Sequence, residues 1–423
     1  FDYNNDGFLD IYVNDWNACG SNFLYKNNGD GTFTNYTVEL NLVEKESRYS
    51  YTAFPFDLNE DGWMDIIVSN DLHYSNYAYI NYNGLSFTEE ASIYGLDSKI
   101  DDMGIAIGDF DNDNKFDFIF TGVDENNLMV KKSSNKYEEI SILAGLEPTG
   151  WSWGVSFADF DLDADEDLFI VNGYEFEARG PEENVFFKNK GDNRFEKKSI
   201  ELGLNDLSES VENIGFDYDN DGDLDLMVTN SDGPVMFYEN KLLNFNDSEP
   251  ILSWVKIKLE GTTSNRDGLG AIISINTEKG KQNRYHSGVG FLGQSLMPIH
   301  FGIGNDTLIK SLTIEWPSGL VENYYNIEIN KTYKAIEGVG LETQNIYPSQ
   351  KIYGCTDPLS CNYNPLATYD DGSCSYLISK KINGPKTSSF LNTETYTYNI
   401  DNSSSNKWEV EGGEIINGQG TET

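Results

Sequence analysis

The chain has 423 residues, and its 29 lysines and arginines face 70 aspartates and glutamates, for a formal net charge of −41. Such an excess repels phosphate backbones and anionic membranes, and no basic patch offsets it: Lys131-Lys132 and Lys197-Lys198 sit among Asn and Glu. Aromatic residues make up 13% of the chain, too many for disorder, and no apolar run approaches the ~18 residues of a membrane helix. Nucleic-acid partners and membrane insertion are therefore not expected.

An acidic phrase recurs from the first residue onward. It reads FDYNNDGFLD at 1–10, FDLNEDGWMD at 56–65, GDFDNDNKFD at 108–117, ADFDLDADED at 158–167 and FDYDNDGDLD at 216–225. The first carboxylates, Asp2, Asp57, Asp109, Asp159 and Asp217, lie 50 to 58 residues apart. Each phrase is followed by an apolar strand (IYVN, IIVSN, FIFTG, LFIVNG, LMVTN) and then by a hairpin such as YINYNGLSF or FKNKGDNRF. Three units add a Gly-Leu step: Gly95-Leu96, Gly145-Leu146 and Gly203-Leu204. A further apolar strand, such as MGIAIGDF or WGVSFADF, leads into the next phrase. Four short strands per unit, with turns between them, predict an antiparallel blade. Units of this length repeated radially predict an all-β propeller rather than a solenoid, whose period is shorter. The chain opens inside a motif, so further blades and a signal peptide are expected upstream of Phe1.

Oxygen side chains fall at positions 1, 3, 5 and 9 of the phrase, with Gly at 6 in the best copies. Alternate residues of a tight loop converge, and position 7 can offer its carbonyl. The candidate metal ligands are Asp2, Asn4, Asp6, Phe8 and Asp10 in the first loop and Asp57, Asn59, Asp61, Trp63 and Asp65 in the second. They are Asp109, Asp111, Asp113, Lys115 and Asp117 in the third, Asp159, Asp161, Asp163, Asp165 and Asp167 in the fourth, and Asp217, Asp219, Asp221, Asp223 and Asp225 in the fifth. Carboxylates this close repel one another unless a hard cation sits among them. Ca²⁺ accepts about six to eight oxygens in irregular geometry, whereas Mg²⁺ wants a strict octahedron and Zn²⁺ wants N or S. An EF-hand would need Glu at position 12 and flanking helices, but Val68 and Val228 stand there inside strands. Up to five Ca²⁺ sites are expected, each in a β-hairpin. Asn114 and Ala164 replace the glycine; Asn tolerates the left-handed bend, and Ala pays about 1 kcal/mol of strain in it.

On these motifs, D-x-[DN]-x-D-G-x-x-D repeated through residues 1–245, the chain resembles the FG-GAP/VCBS repeats of integrin-α-like propellers. The resemblance implies a propeller, usually seven-bladed, with structural calcium. Residues 250–340 alternate apolar and polar in short runs and resemble the ASPIC/UnbV domain through WVKIKLEGTTSNRDGLGAIISI, GVGFLGQS, HFGIG and IEWPSG. That order of parts resembles the cartilage acidic protein family and its bacterial relatives, which supplies no catalytic residues to carry over. Residues 353–376, YGCTDPLSCNYNPLATYDDGSCSY, resemble a short GCTDP-type module of secreted bacterial surface proteins. Cys355, Cys361 and Cys374 suggest a disulfide and an oxidising compartment. The pairing stays open, since Cys19 is far away, and a zinc site would need a fourth ligand. Residues 378–423 resemble the opening strands of a PKD/Ig-like sandwich.

The chain carries three histidines, His73, His286 and His300, and no nucleophile elbow, metalloprotease or phosphate-loop motif. These features favour a secreted or surface-attached calcium-binding propeller that acts in adhesion or binds an extracellular protein or glycan, and no enzyme. The alternative is a polysaccharide-active enzyme or accessory domain, which would show a deep pocket with a carboxylate outside the calcium loops. A third reading is a structural spacer. In a propeller the acidic loops occupy one face, so a partner is expected on the other, contacted by Tyr74, Trp151, Tyr174 and Glu175. The competing expectation is that Trp151 and Trp153 pack between blades.

Overall fold

A computed structural model describes residues 1–375 except 18–19, 44–47, 134–135, 174–179, 244–251, 345–352, 359, 361, 364–368 and 371. Tyr174, Glu175, Cys19, Cys361 and the PKD/Ig-like stretch 378–423 lie outside the described residues. Phe1–Tyr347 forms one compact unit and Pro348–Thr423 a second.

The described fold is nearly all β, in antiparallel blades that follow one another along the chain. The second blade runs Ser50–Phe56, Asp65–Asn70, Tyr77–Asn81 and Phe87–Glu89, each strand pairing with the next. The third (Ile105–Gly108, Asp117–Thr121, Asn126–Ser133, Lys136–Glu139) and fourth (Ser152–Ala158, Asp167–Asn172, Val185–Asn189, Phe195–Lys197) repeat it. Among the described residues the first (Ile11–Val13, Phe23–Asn27, Phe33–Asn35) and fifth (Ser210–Phe216, Asp225–Asn230, Met236–Tyr238) have three strands each. The cores lie between successive blades. Ile66, Val68 and Tyr79 pack on Leu24 of the first blade, Phe54 and Ile67 on Phe118 of the third. Ile119 and Leu128 pack on Leu168 and Ile170, and Phe169 and Val171 on Leu226 and Val228. A strand covered on both faces needs an unbroken apolar run, which is why IIV and LFIV do not alternate.

The Gly-Leu step caps a single turn. Helices Ala91–Tyr94 and Ser199–Leu202 end at Gly95 and Gly203, both left-handed (φ 75° and 72°). The following amide closes on the turn (Leu96 N to Ala91 O, 2.9 Å) and Leu96 is buried.

Residues 253–344 form a sandwich. One sheet is ordered Ile299–Gly304, Ser253–Glu260, Lys331–Ile336, Gly340–Gln344; the other is Lys281–Tyr285, Ile272–Asn276, Ile309–Glu315, Val321–Ile327. Its core joins Val255, Ile257, Ile273, Phe301, Leu312 and Ile314. In the second unit Cys355 and Cys374 form a disulfide (Cα–Cα 4.7 Å), and Tyr353–Gly354 pairs with Tyr369–Asp370.

Candidate metal centre

Four of the acidic phrases link the first two strands of their blades, the first phrase leads into Ile11–Val13, and all five share one backbone. Position 4 is left-handed in each: Asn5, Glu60, Asn112, Leu162 and Asn220 have φ of 53° to 62°. Position 6 is left-handed again: Gly7 (85°), Gly62 (88°), Asn114 (71°), Ala164 (83°) and Gly222 (109°). The bend is kept without glycine, so Ala164 carries the strain expected of it.

The carboxylates organise that bend. The position-1 Asp accepts the position-6 amide in every loop (Gly7 to Asp2 2.7 Å, Gly62 to Asp57 2.7 Å, Asn114 to Asp109 3.2 Å, Ala164 to Asp159 2.9 Å, Gly222 to Asp217 3.0 Å). The position-5 Asp accepts the position-7 amide, as in Trp63 to Asp61 (2.9 Å) and Asp223 to Asp221 (3.3 Å). Position 9 acts as a staple. Asp65 takes the amides of Leu58 (2.8 Å) and Asn81 (2.7 Å), and Asp10, Asp167 and Asp225 each take the equivalent pair. A side chain read as a metal ligand thus also joins the loop to its third strand.

Ligand atoms of Asp109, Asp111 and Asp113 lie within 4.8 Å of one another, as do those of Asp159, Asp161 and Asp163 and those of Asp217, Asp219 and Asp225. Loops one and two bring Asp2, Asn4 and Asp6, and Asp57, Asn59 and Asp61, into the same turn, with Asn4 and Asn59 donating to the position-5 carboxylate (2.9 and 3.0 Å). Burial drives the carboxyls up, against the amide hydrogen bonds: Asp117 and Asp65 to about 8, Asp109 and Asp159 to about 7. Burial, then the neighbouring Asp223 and Asp219, raises Asp221 to about 7. Asp117 Oδ2, Asp161 Oδ1 and Asp217 Oδ1 are buried without a hydrogen-bond partner. Crowded, dehydrated oxygens with unused lone pairs are what a hard cation takes, so these residues fit one.

The position-7 residues lie just past the bend, and two do more than present a carbonyl. Asp165 accepts from Asn112 Nδ2 (2.6 Å), and Asp223 is fully buried and accepts the Leu243 amide (2.8 Å). Phe8 is exposed, Trp63 is half-buried, and Lys115 reaches back to Asp113 (2.5 Å).

Sequence reasoning missed how one loop is tied to the next blade. Asn81 Nδ2 donates to the Tyr3 carbonyl of the first loop (2.8 Å), Asn189 to Phe110 of the third (2.7 Å) and Asn240 to Phe160 of the fourth (2.8 Å). In the third blade Lys131 takes that place and reaches Glu60 (2.7 Å). The signal was present as an aromatic-x-Asn phrase at Tyr79-Ile80-Asn81, Phe187-Lys188-Asn189 and Tyr238-Glu239-Asn240.

The sandwich lies on the acidic loops. From Tyr285, whose hydroxyl donates to the Pro55 carbonyl (2.9 Å), the chain runs along the first strands of the blades to Phe291, which packs on Tyr51 and Trp153 (both 5.7 Å). At that far end Trp16, Tyr49, Tyr51 and Trp153 form a chain of ring contacts, with Tyr74 on Tyr49 (6.1 Å) and Trp151 stacked on Trp153 (6.1 Å). His286 and His300 are enclosed; burial lowers them to about 4 and about 3, so both are neutral at pH 7.

These features define a propeller-like repeat protein with acidic hairpin loops and a trailing β-sandwich. Residues 2–68, 57–120 and 109–170 match the FG-GAP-like repeat, and residues 261–342 match the ASPIC and UnbV family. The chain therefore combines FG-GAP-like repeats with an ASPIC/UnbV domain. It is similar to cartilage acidic protein 1 of Xenopus tropicalis, 26% identical over 271 residues that make up 61% of this chain and 40% of that protein. It is also similar to the Mus musculus protein of that name, 23% identical over 324 residues, 73% of this chain and 47% of that one. The chain spans less than half the length of these relatives. Among solved structures, an Agrocybe aegerita lectin aligns over 52% of this chain and 61% of its own, at 16% identity and a TM-score of 0.30, too loose to argue from. The repeats and relatives support an extracellular β-propeller-like protein.

Proposed function

We propose that this chain is part of a calcium-stabilised extracellular protein that works by binding, in adhesion or ligand capture, rather than by catalysis. The observation that carries the reading is the convergence of three carboxylates in each of loops three, four and five. Calcium there would offset the repulsion among them and hold the hairpins; the Asp side chains would supply the oxygens. The Cys355–Cys374 disulfide supports an oxidising compartment.

The enzyme alternative asked for a deep pocket with a carboxylate outside the calcium loops. A cavity of about 490 Å³ lies between the first strands and the sandwich, and its carboxylates, Asp159, Asp217 and Glu166, all belong to acidic phrases, Glu166 at position 8 of the fourth. The Glu166 carboxylate is taken by Arg284 (3.0 Å) and by the Asp109 amide (3.1 Å), which leaves it poorly placed as an acid or base. The partner, a protein or a glycan, is assigned to the end opposite the acidic loops. Tyr74 and Trp151 are half-buried there, and Leu72 and His73 hold left-handed φ (54° and 61°) with His73 paired to Asp101 (2.9 Å). Left-handed non-glycine residues cluster at ligand clamps and switch regions, which supports the assignment.

The test is a thermal melt with and without EDTA, alongside calcium calorimetry. Chelation should lower Tm by many degrees and excess Ca²⁺ restore it, with dissociation constants on the order of 10⁻⁴–10⁻³ M. An unchanged melt would overturn the calcium reading.

A further inference from the structure

Three of the five acidic loops are finished by the sandwich. At the third, Asn283 Nδ2 donates to Asp109 Oδ2 (3.0 Å); the Ser274 hydroxyl donates to Asn283 Oδ1 (2.6 Å) and so fixes the amide's orientation. At the fourth, Lys279 donates to the Asp163 carbonyl (2.7 Å) and the Gly304 amide to the Leu162 carbonyl (2.7 Å). Gly302 approaches so closely that a Cβ there would lie 2.2 Å from Asp159 Oδ2. At the fifth, Lys256 Nζ meets Asp217 Oδ2 at 2.5 Å, with the two side chains 5% and 2% exposed. His300 Nε2 donates to the Gly222 carbonyl (2.9 Å), and the Trp254 indole covers Gly222.

The fifth loop shows what this contact does. Lys256 takes Oδ2, the oxygen that also accepts the Gly222 amide, and leaves Oδ1 buried and unpaired. The ammonium takes one oxygen of the carboxylate and leaves the other for a cation. Five carboxylates surround this turn, so one lysine and one divalent ion together still leave it negative. Lysine and ion do not exclude each other.

Resting on the calcium reading above, we propose that Lys256 and Asn283 are positioning residues that couple calcium in the fifth and third loops to seating of the ASPIC/UnbV domain. A filled loop holds its position-1 carboxylate where the sandwich can reach it. In an empty loop the carboxylates repel, and Lys256 loses a fixed partner for a charge that is already out of water. Linkage makes the effect reciprocal: a seated domain tightens calcium in these two loops.

Trp254 gives a local optical readout, taken as the difference in emission between the full chain and its Trp254→Phe variant. Calcium should shift that difference and EDTA reverse it. Lys256→Met should weaken the calcium that Trp254 senses by about 10- to 100-fold, the usual loss when an outer partner of a metal ligand is removed. Lys258→Met, the same charge change at an exposed neighbour, should not. If calorimetry finds no calcium bound to the unaltered chain, the calcium reading fails and the coupling with it. If calcium binds but Trp254 stays silent, or Lys256→Met binds as tightly or more tightly, the coupling alone is overturned. Should Lys256→Met fail to fold, Asn283→Leu decides: it must weaken one calcium site by calorimetry, and unchanged affinity at every site overturns the proposal.

Discussion

Loops one and two and loops three to five share a backbone and differ in what stands behind it. Both groups have left-handed residues at positions 4 and 6 and the same amide-to-carboxylate bonds. In the first group Asn occupies position 3, and the sandwich touches only the periphery. The Thr263 carbonyl lies near Gly7, and Met64, at position 8, lies by Gly270 and Tyr285. In the second group Asp occupies position 3, and the sandwich reaches further in: side chains bond the position-1 carboxylates of loops three and five, and the Gly302 backbone lies against Asp159 in loop four. The loop is thus a local object, set by a ten-residue phrase, whereas its environment is tertiary and differs from copy to copy.

Apart from chelation, the largest expected effect breaks that second group from its partner domain. Arg284 and Glu166 form an ion pair 3.0 Å apart, 9% and 4% exposed, and Glu166 holds the Asp109 amide at the same time. Arg284→Met strands a buried carboxylate and should cost about 3–5 kcal/mol. Urea denaturation of the full chain checks it; a loss below about 1 kcal/mol would mean that the joint is solvated.

A matched pair of substitutions sharpens the comparison. Gly62 and Gly222 both sit at position 6 with positive φ, but a Cβ on Gly62 meets nothing within 4 Å, whereas one on Gly222 would lie 1.7 Å from Trp254 Nε1. Gly62→Ala should cost only the left-handed strain, about 1–2 kcal/mol. Gly222→Ala adds overpacking, about 1–3 kcal/mol more. Equal losses in thermal melts would mean that Trp254 does not rest on the fifth loop.

The same division marks what was legible in the sequence. The five phrases announced the hairpins, and the apolar runs announced strands buried on both faces. Glycine at position 6 announced one bend; the second, at position 4, was hinted at by Asn5, Asn112 and Asn220 but hidden at Glu60 and Leu162, where context overrides preference. Nothing local could place Lys256 on Asp217 or Asn283 on Asp109, because neither sequence carries its partner's signature and the separation is long. Gly302 in HFGIG is explained by the fourth loop it presses against, and Gly304 by its left-handed φ of 60° under the Lys279 side chain.

A carboxylate of the sandwich provides a test that bypasses the loops. Glu337 accepts the amides of Thr262, Thr263 and Ser264 (2.7, 2.7 and 2.8 Å) and the hydroxyls of Ser264 (2.7 Å) and Ser318 (2.5 Å). Burial pushes this carboxyl up, but the hydrogen bonds outweigh it and hold the group at about 2. A depressed carboxyl stabilises the fold above its ordinary pKa, about 4.3, and that contribution fades as pH falls toward 2. Glu337→Gln should therefore cost stability at pH 7, and the gap to the unaltered chain should narrow from about pH 4.5 downward. A gap constant across that range in urea midpoints would show that the charge is not what these donors hold.

The smallest effect concerns the one loop that lacks both Gly and Asn at its sharp bend. Ala164 holds φ 83° and is buried beneath its own loop, with its amide on Asp159 (2.9 Å). The left-handed strain it carries, about 1–2 kcal/mol, is offset in part by the backbone freedom that glycine would lose on folding, about 0.5–1 kcal/mol. Ala164→Gly should therefore stabilise by up to about 1 kcal/mol, a Tm rise of a degree or two. A bound cation enforces the bend and with it the strain, so the gain should be larger in saturating calcium than in EDTA, where an alanine loop can relax. A loss of stability under both conditions would mean that contacts of the Ala164 methyl beneath the loop outweigh the strain, and that this loop was built around alanine.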